Sequence, residues 1–362
     1  RFLTLVRANP RSSMAEHGVH TILSSYQQIE NWGGLNDAAR EFYNNPDIGK
    51  TTKFKGELRV IYQSATFKIA EGYATGAQHL DAAKAFLEAG IHVICDKPMT
   101  STLEDAHALA QIAEEARALF VLTHNYSAYP QLRLAREMIA RGDLGPIRLV
   151  QVEYAQDWLA RPSDSKQAAW RGDPKKAGAG GAIGDIGTHA FQLARFVSGM
   201  APERLAADLT SFVPGRAVDD NAQIMMRYAS GAKGSLWCSQ VAPGTENGLK
   251  LRIYGEEAGI EWAHETPETL WFTKLGEPAR KLRRGAETMA GSRVPPGHPE
   301  GYLEGFANIY AEAADAIRAR QAREPHETLL PGIRDGVEGL EFIDACIRSA
   351  EADSAWVEVG HG

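Results

Sequence analysis

The sequence lacks the features that define several common functional classes. Its 362 residues include only three cysteines, the net charge is −7, and no long apolar run or basic block occurs. Cysteines far apart in apolar segments argue against a disulfide framework or a zinc site. The missing apolar run argues against a transmembrane helix, and the missing basic block against nucleic-acid binding. With no secretory signal pattern at its start, the sequence predicts a cytoplasmic protein without a bound metal.

A glycine-rich phosphate loop is also missing from the N-terminal region. Residues 1–6 predict a strand, and residues 19–24 could form a second one, but Arg7, Ala8 and Asn9 follow the first strand where G-x-G-x-x-G would be expected. Such glycines let the backbone approach a pyrophosphate. Two explanations stay open: this region has lost its phosphate loop, or the residue identities of about 1–75 are incorrect, which sequencing the gene would decide.

The size and composition of the chain are those of a globular protein. Apolar residues make up 44% of the chain, which is enough for a substantial core, and the length suits two domains. No internal repeat or low-complexity tract appears. The sequence therefore predicts a globular protein in which function resides in folded sites rather than in a disordered or repetitive tract.

The segment from Ile91 to Pro98 organises the first half of the chain. A helical apolar pattern ends at Gly90, a short β-branched run follows, and Pro98 stops it. Residues 101–104 then resemble a capping box that opens another helix. In parallel sheets, ligands lie beyond the carboxyl ends of strands, which is where Asp96 and Lys97 fall. The alternative is a solvated charge pair at a strand end.

Further strands predict the rest of the fold. An apolar strand at 119–123 is followed by His124, Asn125 and Tyr126, and the parallel pattern ends there. Later segments such as 222–228 and 234–240 form a predicted hairpin without intervening helices. We therefore predict an α/β protein with a Rossmann-like parallel sheet at residues 1–125. An α+β domain with a large, mostly antiparallel sheet is predicted at residues 126–362.

A glycine-rich segment carries the second polar constellation. Four glycines precede Asp185 closely, and His189 follows four residues later, so a helix through both would place them on one face. A carboxylate beside an imidazole is suited to general-base chemistry, because histidine titrates near neutrality. The alternative is an anion at a helix N-terminus followed by a packed core histidine. A zinc site lacks a third ligand at suitable spacing.

Together these segments resemble the glucose–fructose oxidoreductase/inositol dehydrogenase (Gfo/Idh/MocA) family. Residues 91–98 are similar to its Glu-Lys-Pro motif, with Asp96 in place of Glu, and residues 180–189 are similar to its glycine-rich D-x-G-x-H signature. Residues 219–222 and 230–234 resemble its central hairpin, and His79 matches the helix before the first motif. The resemblance covers about residues 78–359, and two motifs in the expected order are more specific than either alone.

The resemblance implies an NAD- or NADP-dependent dehydrogenase acting on a sugar, inositol or related polyol. It implies catalytic roles for Lys97, Asp185 and His189. It implies a cofactor site made of Val6, Ala8, Asn9, His79, Asp96, Lys97, Pro98 and Asn125, and a substrate site made of Tyr126, Trp170, Arg171 and His298. It also implies a homodimer or homotetramer built through the outer face of the large sheet, unless that face is solvated. A non-catalytic sugar- or nucleotide-sensing member of the family remains the alternative.

Overall fold

The computed structural model describes residues 2–12, 14–29, 31–48, 51, 53–59, 61, 76–162, 178, 180–285 and 291–360. The chain divides into two compact units, residues 1–74 and residues 75–362. Each is described by itself.

The first unit is helical throughout its described part. It contains α1 (Phe2–Ala8), α2 (Ala15–Gln28), α3 (Trp32–Asn44) and a further helical segment at residues 53–59. Its core is formed by buried apolar side chains, among them Val6, Val19 and Phe42. A Cβ on Gly18 would lie 2.6 Å from Cγ2 of Val6, so the glycine lets α1 and α2 approach closely.

The strands predicted for this unit are wrong. Residues 2–6 and 19–24 lie within helices α1 and α2. In α2, Val19, Ile22 and Leu23 are all buried, which is helical spacing rather than alternation. Short apolar runs do not distinguish a strand from a buried helix, and here tertiary packing decides for the helix.

The second unit opens with a small parallel sheet. It comprises α4 (Gly76–Glu88), β1 (Val93–Cys95), α5 (Leu103–Glu115) and β2 (Phe120–Leu122). The two strands pair in parallel, with Ile94 opposite Val121. Gly90 adopts a left-handed φ of 71° after α4, as expected for a C-terminal cap. The predicted capping box is displaced by one residue, because Thr102 rather than Ser101 caps α5 by accepting the Asp105 N–H at 3.1 Å.

A nine-stranded mixed sheet forms most of the second unit. Its strands are β3 (Ile147–Ala155), β4 (Pro202–Thr210), β5 (Asn221–Tyr228), β6 (Lys233–Ser239), β7 (Gly248–Gly255), β8 (Ala258–Ala263), β9 (Thr269–Lys274), β10 (Arg280–Arg283) and β11 (Val357–Glu358). Their order is β10-β9-β8-β7-β3-β6-β5-β4-β11. Only the β3–β6 pair among these described strands is parallel. The predicted hairpin is present as β5 and β6.

Helices cover one face of this sheet. They are α6 (Pro130–Ala140), α7 (Thr188–Ser198) and α9 (Ile333–Glu351), whereas α8 (Tyr302–Ala322) packs on the 3-10 turn Asn125–Ala128. Helix α7 packs on β3 and β7, and α9 packs on β4 and on α5. The rings of Phe191 and Phe342 stack between α7 and α9, with centroids 4.2 Å apart. Because α9 touches both the large sheet and the small one, the two sheets share one core.

The other face of the large sheet carries exposed apolar side chains between charged pairs. Leu149, Met225, Tyr254 and Trp271 are each at least one-third exposed. The predicted fold class, a parallel sheet followed by a large and mostly antiparallel sheet, is confirmed. The predicted domain boundary at residue 125 stays a prediction.

Candidate active site

The carboxyl end of β1 fixes the position of Lys97. One carboxylate oxygen of Asp96 accepts the Lys97 N–H at 2.8 Å and the Thr123 hydroxyl at 2.7 Å. Since Thr123 directly follows β2, Asp96 ties the two strand ends together. The Lys97–Pro98 peptide is cis, and Nδ1 of His79 lies 2.9 Å from the Pro98 carbonyl oxygen. Asp96 and His79 therefore support the turn that carries the lysine.

Lys97 reaches across to the second motif. Its Nζ lies 3.0 Å from Oδ1 of Asp185 and also donates to the Asp185 carbonyl oxygen. Both side chains are mostly buried, with 12% and 16% of their surfaces exposed. An ammonium group has three N–H donors. Two of these N–H groups point at Asp185. No described residue accepts from the third, which can donate to a ligand oxygen in the cleft that Lys97 lines.

The turn that carries Asp185 is held by a buried carboxylate. Asp219 accepts the backbone N–H groups of Gly181 at 2.6 Å and Ile183 at 2.8 Å. A Cβ on Gly181 would stand 2.0 Å from the Asp219 carbonyl oxygen, so only glycine fits there. A π-helical turn, Ile183–Gly187, follows and leads directly into α7. Gly181 thus serves close backbone packing.

Gln240 holds the second oxygen of Asp185. Its side-chain nitrogen donates to Oδ2 at 2.8 Å, and only 2% of the residue is exposed. Its backbone N–H donates to the Asp220 carbonyl, and its own carbonyl accepts the Leu159 N–H. With both backbone groups bonded, Gln240 is a rigid support. The sequence analysis missed it, because a glutamine at the end of a predicted strand gives no signal.

His189 lies in the first turn of α7 and lines the same cleft as Lys97 and Asp185. The ring is half-buried and packs edge-on against Tyr126 and His124, with centroids 5.2 and 5.6 Å away. Burial, followed by the charge of Lys97, holds the pKa of His189 well below its usual value. The imidazole is therefore neutral at neutral pH and able to accept a proton.

A chain of polar side chains forms the opposite wall of the cleft. The hydroxyls of Tyr126 and Tyr154 lie 2.8 Å apart, and Tyr154 donates to Oδ1 of Asn247 at 2.7 Å. Gln156 donates to the same oxygen at 2.9 Å, and the Trp158 indole donates to Gln156 at 3.0 Å. Together with the residues at the strand ends, these side chains line a cleft of about 590 Å³.

Several predicted site residues lie elsewhere. His298 is exposed and is not among the cleft-lining residues, whereas Tyr302 and Phe306 of α8 line the cleft. Trp170 and Arg171 fall outside the described residues. Val6, Ala8 and Asn9 belong to α1 and its end in the first unit. Their assignment to a cofactor site stays a prediction, and the strand and turn on which it depended are absent from the described part of that unit.

The nicotinamide end of a dinucleotide fits the residues at the strand ends. Asn125 is 1% exposed, and its side-chain nitrogen has no hydrogen-bond partner among the described residues, although Asn125 lines the cleft. A buried donor without a partner is costly unless a ligand accepts from it. Asp96, Thr123 and Lys97 add polar groups beside it. These residues suit a carboxamide and ribose.

The described residues contain neither a membrane-spanning helix nor a cluster of metal ligands. None of the described helices has the length and apolar character needed to cross a bilayer. Within the same residues, no group of three or more histidine, cysteine or acidic side chains is arranged to hold a metal ion.

Comparison with known families matches two segments of the chain. Residues 69–124 match a model described as an oxidoreductase family with an NAD-binding Rossmann fold. Residues 132–261 match a GFO/IDH/MocA C-terminal domain.

Individual proteins are similar over most of the chain. An oxidoreductase of Sinorhizobium meliloti of known structure is 53% identical, with a TM-score of 0.70, over 78% of this chain and 76% of that one. An inositol dehydrogenase homologue of Azotobacter vinelandii, solved with NAD⁺, is 31% identical, with a TM-score of 0.76, over 90% and 82%. Levoglucosan dehydrogenase of Pseudarthrobacter phenanthrenivorans is 31% identical over 78% of this chain and 77% of its own.

Proposed function

The chain belongs to the Gfo/Idh/MocA family of oxidoreductases, whose N-terminal model is an NAD-binding fold, and from this membership we propose that it is an NAD(P)-dependent dehydrogenase. Its substrate would be a secondary hydroxyl of a sugar, an inositol or a related polyol. One observation carries the proposal: Lys97, Asp185 and His189, from separate parts of the sequence, line a single polar cleft.

Each of the three side chains has a role that its surroundings support. His189, kept neutral by burial, takes the proton from the substrate hydroxyl. The remaining N–H of Lys97 donates to the same oxygen and stabilises the negative charge that develops as the proton leaves. Asp185 holds the ammonium group in place and is itself held by Gln240. When bound, the nicotinamide cofactor accepts the hydride from the carbinol carbon.

The cofactor residues are proposed from the strand ends. Asn125, with its buried donor, would hold the polar groups of the nicotinamide half, and Asp96 and Pro98 would shape the turn beneath it. His79 contributes indirectly through the Pro98 carbonyl. On the substrate side, Tyr126 lies in the polar wall of the cleft.

We also propose a homodimer or homotetramer that forms through the outer face of the large sheet. The exposed apolar side chains on that face support this arrangement, because a partner that covered them would remove apolar surface from water. The three cysteines are buried, unpaired thiols, which suits a reducing, cytoplasmic environment.

The function is tested by replacing the proposed base. Wild-type protein should reduce NAD⁺ or NADP⁺ with at least one member of a panel of inositols, anhydrosugars and pyranoses. His189→Ala should lower turnover by about 10² or more, the scale of one general base. NADH binding, followed by fluorescence, should be unchanged in the variant.

Two results would contradict the proposal. Near-normal turnover of His189→Ala would exclude the histidine as the base. Saturable binding of NADH and polyol by the wild type, without any turnover across the panel, would instead favour a non-catalytic sensing protein.

A further inference from the structure

The polar wall of the cleft consists of Tyr126, Tyr154, Asn247, Gln156 and Trp158. The Trp158 indole, at one end, determines which group donates in each hydrogen bond of this wall. An indole nitrogen can only donate a hydrogen bond, so the Trp158 N–H fixes the oxygen of the Gln156 amide towards the indole. The Gln156 nitrogen must then face Asn247, and the atom of Asn247 that receives it must be oxygen. The indole alone therefore sets both amide orientations.

The same direction continues into the two phenols. Tyr154 has one hydroxyl proton, and it is donated to Oδ1 of Asn247. In the 2.8 Å contact between the phenols, Tyr154 must therefore accept and Tyr126 must donate. Burial raises the pKa of both hydroxyls, so both keep their protons at neutral pH. Tyr126 is left with an oxygen lone pair for the cleft.

Asn247 joins the two tyrosines of the wall to Gln156 and Trp158. Its side-chain oxygen accepts from Tyr154 and from Gln156, which uses both lone pairs. Its side-chain nitrogen has two N–H donors. One is taken up by the Tyr126 hydroxyl, a contact that partly offsets the rise in the pKa of Tyr126 caused by burial, and the other has no acceptor among the described residues, although Asn247 is half-buried and lines the cleft. The wall thus offers a fixed N–H donor at Asn247 and an acceptor oxygen at Tyr126.

We propose that Asn247 determines substrate specificity, by donating a hydrogen bond to an oxygen of the substrate that does not react. The inference rests on the proposed polyol dehydrogenase function and adds the chemistry required of the remote side of the substrate. That side must present an acceptor, either a ring ether oxygen or a hydroxyl oxygen. A substrate with a methylene or a cationic amine at that position is rejected, because the amide donor would lose its partner.

The test exchanges the donors of Asn247 while keeping its acceptor. Asn247→Asp retains oxygens for Tyr154 and Gln156 but replaces the N–H groups, whereas Asn247→Ala removes both functions. The matched control is Asn221→Asp on β5, whose side-chain oxygen accepts a hydrogen bond from the Trp237 indole at 3.0 Å and which does not line the cleft. Readouts are kcat, KM, equilibrium polyol binding by calorimetry, NADH binding and thermal stability.

We expect Asn247→Asp to weaken polyol binding and raise KM by about tenfold or more, with a smaller change in kcat and unchanged NADH binding. In a series of deoxy analogues, one analogue should bind wild type and Asn247→Asp equally, because it lacks the oxygen that Asn247 contacts. Asn247→Ala should show the same loss, with an added fall in thermal stability. Asn221→Asp should behave as wild type.

The outcomes separate this inference from the proposed function. Polyol turnover and binding that are the same in wild type and Asn247→Asp would overturn the role of Asn247 and leave the dehydrogenase intact. Polyol binding that depends on Asn247 without turnover would support the inference and overturn the enzyme. A wild type that neither binds nor oxidises any polyol would overturn both.

Discussion

The side-chain nitrogen of Lys97 lies 3.0 Å from Oδ1 of Asp185, although 88 residues separate them in the chain. Neither residue reaches this position by local structure alone. Asp96 sets the lysine at the end of β1, and Asp219 sets the turn that carries Asp185. The pair therefore forms only when the motifs at residues 91–98 and 180–189 are both correctly folded. Substitutions at or beside this pair should affect the site most directly.

Replacing Lys97 should reduce turnover and shift its pH dependence. Lys97→Met removes a donor to the reacting oxygen, and kcat should fall by roughly 10² to 10³. The positive charge of Lys97 also lowers the pKa of His189. Without it, that pKa rises towards 6.5, so the acid limb of kcat/KM for alcohol oxidation should move to higher pH. Lys84→Met, at an exposed surface pair with Glu88, is the control. An acid limb at its wild-type position would exclude the coupling.

Replacing Gln240 should affect turnover through Asp185. Gln240→Leu leaves Oδ2 of Asp185 without its 2.8 Å donor, and we expect kcat to fall by about tenfold with cofactor binding unchanged. Gln240→Glu places a second carboxylate beside Asp185 in place of a donor, so it should also lower kcat. A role in packing alone predicts that the nearly isosteric glutamate is tolerated. Gln111→Leu, on the exposed face of α5, serves as the comparison.

The stability of the protein should fall as the pH drops below neutrality. Burial lowers the pKa of His124 from its usual 6.5 to about 4. Above pH 6.5 both folded and unfolded states carry a neutral ring, and below it only the unfolded state takes up a proton. His124 alone therefore costs about 3 kcal/mol of unfolding free energy between pH 6.5 and pH 4.

Urea unfolding at several pH values checks this dependence. His124→Asn should show a shallower loss of unfolding free energy between pH 7 and pH 5 than the wild type. His107→Asn, which alters an exposed histidine of α5, should keep the wild-type slope. Parallel slopes for wild type and His124→Asn would show that the ring does not titrate between the two states.

The exposed face of the large sheet should mediate self-association. Light scattering of the wild type should give the mass of two or four chains. Met225→Lys places a charge at a side chain that is 56% exposed on that face, and it should shift the mass to one chain. Ile29→Lys, at a 71% exposed position in the first unit, should not. A monomeric wild type would contradict the assembly.

The fold could be predicted from the sequence where a short motif determines the local backbone structure. Gly90 and the short apolar run before Lys97 predicted a helix and a strand, and the structure has both. Lys97 lines a cleft at the end of that strand, and its role there stays a prediction. The close approach of Gly181 to the carbonyl oxygen of Asp219, in a different loop, was not predicted.

Other parts of the site had no local signal. Asn247 contacts Tyr154 across 93 residues, and Gln240 contacts Asp185 across 55. Such contacts follow from the order of strands in the sheet, and the hydrophobic pattern of a sequence does not predict that order. The family resemblance placed His298 in the substrate site; it is exposed and does not line the cleft, whereas the aromatic residues Tyr302 and Phe306 of α8 do.

The position of β3 in the large sheet has a consequence for biosynthesis. This strand lies between β6 and β7, so both of its neighbours are translated later, and Leu149 pairs with Lys233. A ribosome that adds 5–20 residues per second needs roughly 4 to 16 s to reach the first partner. During that interval both edges of β3 are open while its apolar residues have already emerged from the exit tunnel. This strand is therefore where a nascent chain most needs chaperone protection, and where slower translation would most increase aggregation.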